Sequence, residues 1–195
     1  MKLILSEEQQ FLKDTAQSFA RDKTPTNHFR KLRDDGNAKC WDDSIWQEMV
    51  QLGWSGILVP EEFGGSDFGI AGISVIMQEL GKTLTPSPLL ATSVLGVSTI
   101  KLLGSDEQKK NYLPKIVSGE ATTALAVDEG NHHSPFDIEA TATLEDDKWI
   151  LNGQKVFIID GASADFILIV ARTSGKKGES NGLSVFIADK NSTGL

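Results

Sequence analysis

The sequence is poor in the residues that build covalent or metal frameworks. Its single cysteine, Cys40, excludes an internal disulfide and a cysteine-based zinc site. Long apolar runs are missing as well. The longest, residues 166–171, falls far short of a membrane span. The opening Met1-Lys2-Leu3-Ile4-Leu5 gives way to Ser6-Glu7-Glu8, too short for a signal-peptide core. Positive charge is scarce: 19 Lys and Arg stand against 27 Asp and Glu, a formal net charge of −8. That balance argues against a nucleic-acid backbone as partner, because such proteins present a basic face. No glycine-rich dinucleotide fingerprint follows a strand, and no phosphate loop with Gly-Lys-Ser/Thr occurs. No Gly-x-Ser-x-Gly marks a hydrolase nucleophile. These absences lead to the expectation of a cytoplasmic protein in a reducing compartment.

What is present is an ordinary globular mix, 39% hydrophobic and 24% charged. Up to about residue 120 the pattern is helical. Ser6 and Gln9 have capping-box spacing, and Phe11, Leu12, Ala16, Phe19 and Ala20 recur at helical intervals. Thr24-Pro25 ends that helix. Residues 31–39 read as an exposed loop with a turn at Asp35-Gly36. Asp42 or Asp43 caps a second helix carrying Ile45, Trp46, Met49, Val50 and Leu52, with Gly53 as its stop. A shaped loop, Pro60-Glu61-Glu62-Phe63-Gly64-Gly65, precedes helices at 69–83 and 88–103. The second is apolar nearly all round, as a buried helix is. Ser105 or Asp106 caps a short helix through Tyr112, and residues 114–117 add a turn.

After Glu120 short strands take over. Candidates lie at 121–127, 139–144, 149–151, 156–159, 166–171 and 183–188, with Glu145-Asp146-Asp147 as a hairpin tip. The expected fold is therefore α+β: an N-terminal all-α helical domain over 1–120, then an antiparallel β-barrel or sandwich over 121–195. Adjacent His132 and His133 point to opposite faces of an extended chain, so no metal role is assigned to them. A loop role near a cofactor suits them better, while His28 reads as solvated. Trp41, Trp46, Trp54 and Trp149 read as core rather than as stacking platforms.

Several segments, in order, resemble the acyl-CoA dehydrogenase family. Residues 59–65 resemble its "VPEEYGG" loop, and Glu79-Leu80-Gly81 its "EELG" helix end. Residues 104–114 resemble "GSEEQKxxYLP", followed by Ser118-Gly119-Glu120. Asn152-Gly153-Gln154-Lys155, Ala164-Asp165 and Ala171-Arg172-Thr173 resemble the middle-domain strands, and residues 182–195 resemble "GISAFLVEKDTPGL". The run 132–137, with Pro86-Ser87-Pro88-Leu89-Leu90 before it, resembles a branch that includes pimeloyl-CoA dehydrogenase small subunits.

The resemblance implies an oxidoreductase that removes two hydrogens across the α,β bond of an acyl-CoA thioester. A carboxylate takes the α-proton and FAD takes the β-hydride. It implies an incomplete middle β-domain, with a C-terminal four-helix domain and its catalytic base beyond Leu195. On that reading the 195 residues alone hold no catalytic residue and no turnover. The family's "TEPGAGSD" falls on residues 128–135, and its "KMWITNG" on 155–161. The implied cofactor contacts are Val127, Asp128, Ser134, Phe157, Ile158 and Ile159, with Asp128, Phe157 and Ile159 departing from the family's Thr, Trp and Thr. Glu129 is retained. Ala91, Thr92, Leu95 and Ser134 are the implied acyl-CoA contacts. Implied partners are acyl-CoA, an electron-transfer flavoprotein-type acceptor and further subunits of a homo- or hetero-oligomer. The alternative is a non-catalytic partner subunit with reduced or no FAD binding.

Overall fold

Helix α1, Glu7–Lys23, starts where the capping box expects. Ser6 Oγ accepts the Gln9 N–H at 3.2 Å, and Gln9 Oε1 accepts the Ser6 N–H at 3.0 Å. This computed structural model describes residues 4–195. Met1-Lys2-Leu3, part of the opening stretch judged too short for a leader, lie outside the described residues. The chain divides into two compact units, the first ending at Glu120 and the second Ala121–Leu195. Among the described residues no helix is long and apolar enough to cross a membrane.

In the first unit α1 is followed by α2, Thr26–Asp34; α3, Asp43–Gln51; α4, Ile70–Lys82; α5, Val97–Leu103; and α6, Asp106–Val117. The stretch read as a loop begins later than expected: residues 31–34 are the last turn of α2, the turn at Asp35-Gly36 ends the helix, and 35–39 are irregular. Helix propensity in Arg30-Lys31-Leu32-Arg33 outweighs the polarity that suggested a loop. Helix α6 runs unbroken through Pro114, where a break into two turns was expected. Helix α1 packs on α4, and Phe19 meets Trp54 edge to face at 5.1 Å. Trp46, Trp54, Met49, Ile73 and Ile76 are buried in this core. Phe11 is exposed, so the apolar face of α1 is narrower than its sequence pattern. The apolar segment 88–103 is two pieces: a π-helical stretch, Leu89–Gly96, running into α5. Leu102 and Leu103 at the end of α5 are exposed, not buried as the all-round apolar pattern implied.

The second unit is a five-stranded sheet: β1, Thr123–Ala126; β2, Thr141–Glu145; β3, Lys148–Asn152; β4, Phe166–Arg172; and β5, Leu183–Asp189. Helical unit then sheet unit is the order expected. The strand directions differ from a wholly antiparallel sheet. Strands β2 and β3 form the expected hairpin, with Leu144 opposite Trp149, and β5 runs antiparallel to β4. Strand β1 is parallel to β4, Thr123 facing Phe166, and β2 touches the same edge at Thr141 opposite Arg172. The long connection from β1 to β4, residues 127–165 with the β2–β3 hairpin inside it, allows this, because parallel neighbours need a crossover rather than a tight turn. Residues 156–159 are not a strand. Phe157 has φ 54° and Asp160 φ 57°, and left-handed residues cannot continue an extended ladder.

Candidate functional site

Residues 127–140 leave the β4 edge at the end of β1 and return to it at β2. This excursion is fixed at both ends. Val127 packs against the buried cluster Ile138, Ala140, Ala142 and Ala171. At the return, the Arg172 N–H donates to the Ala140 carbonyl at 2.7 Å. The Arg172 guanidinium is buried and donates to the carbonyls of Phe136, Ile138, Glu179 and Asn181. It thereby ties the return limb to the 174–182 loop.

The segment 155–161 lies against this excursion. The Val156 N–H donates to the Asp128 carbonyl at 2.8 Å. Lys155 Nζ donates to the Val127 carbonyl at 2.9 Å and to Glu129 Oε1 at 2.6 Å. Both side chains of the Lys155–Glu129 pair are buried, at 7% and 13% exposure. Glu129 also accepts the N–H groups of Glu139, at 2.6 Å, and Ala140, at 3.0 Å. Burial alone pushes the Glu129 carboxyl up. The Lys155 ammonium and the two N–H donors outweigh it and hold the group below its ordinary range. Glu129 and Lys155 thus lock the two segments together. Neither was assigned a role from sequence; each stands as a single charge in a separate motif, with nothing to show that they meet.

The six residues implied for the cofactor come together here, but in different ways. The Ile158 side chain packs inward on Ala124, Ala126, Ala164 and Ile167, leaving only its backbone to a ligand. Phe157 and Ile159 are exposed. Among the described residues, the N–H groups of Phe157, Ile158 and Ile159 make no hydrogen bond within the chain. Three successive free donors beside an exposed aromatic ring suit the polar edge and the face of a planar heterocycle. The Asp128 carboxylate accepts the Ser134 N–H at 3.1 Å and faces His133 Nδ1, 3.1 Å from each oxygen. The His133 hydrogen bond and the Ser134 N–H hold the Asp128 carboxyl below its ordinary range. Ser134 is exposed and reaches this group only through its backbone.

Ala91, Thr92 and Leu95 sit in the helical unit, on the π-helical stretch. Ala91 and Thr92 are fully buried and Leu95 is half-buried. Wide π turns are frequent at functional sites. The Ser93 hydroxyl beside them is buried and, among the described residues, has no hydrogen-bond partner. Of the other groups singled out from sequence, Trp41, Trp46 and Trp54 are core, whereas Trp149 is half-exposed against Phe186. His28 is half-buried, its Nε2 enclosed without a partner among the described residues, rather than solvated.

Two family models match the chain. The acyl-CoA dehydrogenase N-terminal domain covers residues 6–120 and the acyl-CoA dehydrogenase middle domain covers 124–195. The mitochondrial isovaleryl-CoA dehydrogenase of Arabidopsis thaliana is 32% identical over 196 residues, 99% of this chain and 47% of that protein. The acyl-CoA dehydrogenase from Geobacillus kaustophilus is 29% identical with a TM-score of 0.84, over 100% of this chain and 51% of that one. The FAD complex of PigA is 28% identical, also at a TM-score of 0.84, over 100% and 51%. The chain spans about half the length of the curated relatives it matches.

Proposed function

The chain belongs to the acyl-CoA dehydrogenase family, and on that footing we propose that its sheet unit holds FAD in the service of acyl-CoA oxidation. The observation that carries this reading is the joining of 127–134 to 155–161 by Lys155 and Val156. That joining leaves Phe157 exposed and three backbone N–H groups free. Phe157 offers a ring face, Ile158 and Ile159 offer N–H groups, and Asp128 and Ser134 border the same loop. FAD, when bound, supplies the acceptor for a hydride leaving the β carbon of an acyl-CoA thioester. The residues named here bind and orient; none of them is assigned the α-proton. Ala91 and Thr92, small and buried, and Leu95, apolar and half-buried, suit an acyl chain, and Ser134 suits a polar contact to the thioester end. An electron-transfer flavoprotein-type acceptor and an oligomeric assembly belong to the same proposal, as does a cytoplasmic location.

A second reading is favoured by Asp128. A carboxylate where the family has a hydroxyl adds negative charge to a site for an anionic dinucleotide. The chain is then a partner subunit with reduced or no FAD binding. Purified protein titrated with FAD at mildly acidic pH separates the two. Saturable binding that weakens at least about tenfold in Phe157→Ala and Lys155→Met supports the flavin reading. No uptake by wild type, or binding indifferent to both substitutions, overturns it in favour of the partner subunit.

A further inference from the structure

The charges around Asp128 do not balance. On the return limb of the loop Asp137 and Glu139 share Lys177; on the outgoing limb stand Asp128 and Glu129, and the charged group that faces them from the neighbouring segment is Lys155. The Lys155 ammonium is committed to Glu129 Oε1 and the Val127 carbonyl. Asp128 is left with one N–H, from Ser134, and with the imidazole of His133. Since a carboxylate only accepts, His133 Nδ1 must carry the hydrogen. The ring is therefore either the neutral Nδ1–H tautomer or the imidazolium. Only the imidazolium closes the charge difference. His133 is 71% exposed, so a proton from solvent reaches its Nε2 freely.

We propose that His133 is a further residue of the flavin site: its imidazolium is the counter-charge that lets the loop accept FAD against the Asp128 carboxylate. The proposal rests on the flavin reading above. Its logic is electrostatic. FAD carries a pyrophosphate anion, and its isoalloxazine ring gains electron density on reduction. A loop with net negative charge opposes both. Asp128 stays ionised across the range in which imidazoles titrate, because His133 and Ser134 stabilise its charged form. Protonated, His133 balances the Asp128 carboxylate and the cofactor binds. Deprotonated, it leaves one uncompensated carboxylate at the site.

The test is FAD titration of wild type, Asp128→Asn, His133→Ala and His133→Lys at about pH 5.5 and about pH 8, either side of the imidazole range. Circular dichroism checks that each protein is folded. Wild type is expected to bind about tenfold more weakly at the higher pH, the effect of one unit charge at a partly solvated site. Asp128→Asn keeps an acceptor for the Ser134 N–H but removes the charge, and binds tightly at both pH values. His133→Ala binds weakly at both. His133→Lys, with a charge that does not titrate in this range, binds without pH dependence and more tightly than His133→Ala. Equal wild-type affinity at the two pH values, or an undiminished pH dependence in Asp128→Asn, overturns the role of His133 and leaves the flavin site standing. No binding by any of the four proteins at either pH overturns the flavin reading itself and this proposal with it.

Discussion

Burial without a partner sets Asp160 apart from the other carboxylates of the sheet unit. Among the described residues no hydrogen bond or ion pair reaches its side chain, and burial pushes its carboxyl up. A raised carboxyl means that the folded state holds the proton more tightly than the unfolded chain. At neutral pH the ionised form therefore destabilises the fold. Asparagine has the same shape without the charge, and it tolerates the left-handed φ of 57° found there. Asp160→Asn is expected to raise the thermal midpoint at pH 7, by an amount worth roughly 0.5 kcal/mol after solvent screening, and to leave the midpoint nearly unchanged in acid. Lys155 presents the opposite case. Lys155→Met leaves the Glu129 carboxylate buried beside an unpaired Val127 carbonyl, and should cost about 3–5 kcal/mol in denaturant unfolding. Adding Glu129→Gln should recover part of that loss, since the buried charge is then gone. A loss as large in the double variant as in the single one argues that Lys155 acts by packing alone. The residues that build this lock stand in the sequence as ordinary charges 26 positions apart. Periodicity reports which face is buried, not which two loops meet. The site was therefore legible only where motif resemblance pointed at a loop.

At the scale of elements, the loop that ends in Gly64-Gly65 shows two different reasons for glycine. Gly64 has φ 88° and open space around it, its nearest neighbour Val117 Cγ1 at 3.8 Å from an added Cβ. Gly65 has an ordinary φ, but an added Cβ would stand 2.0 Å from the Val59 carbonyl oxygen. Backbone cannot step aside as a side chain can. Gly64→Ala should cost about 1–2 kcal/mol for the left-handed conformation. Gly65→Ala should cost more, about 3 kcal/mol or above, because it forces the loop off Val59. Comparing the two unfolding curves checks the order; equal costs would mean that the loop relaxes around both. Capping residues and periodic faces made the helices readable. Ser6 and Asp42 cap where expected, and Ser105 caps with Gln108. Less readable were elements decided by neighbours. The π-helical widening at Leu89–Gly96 is preceded by Pro88, which marks a helix start but not a wider turn. Residues 156–159 are apolar enough for a strand, yet Phe157 turns left-handed. The parallel pairing of β1 with β4 depends on a crossover through residues 127–165 whose path no local pattern encodes.

Across the whole molecule, the two units should respond differently to acid. In the sheet unit Asp128, Glu129 and Asp165 are all held below their ordinary range. Burial pushes the Asp165 carboxyl up, but Lys190 and the N–H and hydroxyl of Thr122 more than offset it. These contacts bridge separate parts of the sheet unit: Asp165 joins the approach to β1 to the start of β4, and Glu129 joins the excursion to Lys155. In the helical unit the carboxylates held low are Asp22, beside its neighbour Arg21, and Asp42, which caps its own helix. Those contacts are local, and their loss frays one turn. A carboxylate lowered on folding contributes stability that is present above the ordinary carboxylate range, near pH 4, and disappears as pH falls through its folded value. Acidification from neutral pH to about pH 3 should therefore remove tertiary ties from the sheet unit while leaving the helical core intact. Hydrogen exchange followed by mass spectrometry, corrected for the intrinsic rate at each pH, measures this directly. Protection in β1, β2 and β4 is expected to fall before protection in α1, α3 and α4. Asp165→Asn should move that loss of protection toward neutral pH. Its amide keeps an acceptor for Thr122 but no longer attracts Lys190, so the tie is weakened before any proton binds. Loss of protection in the helices first, or simultaneous loss in both units, would show that acid acts through a group outside this set.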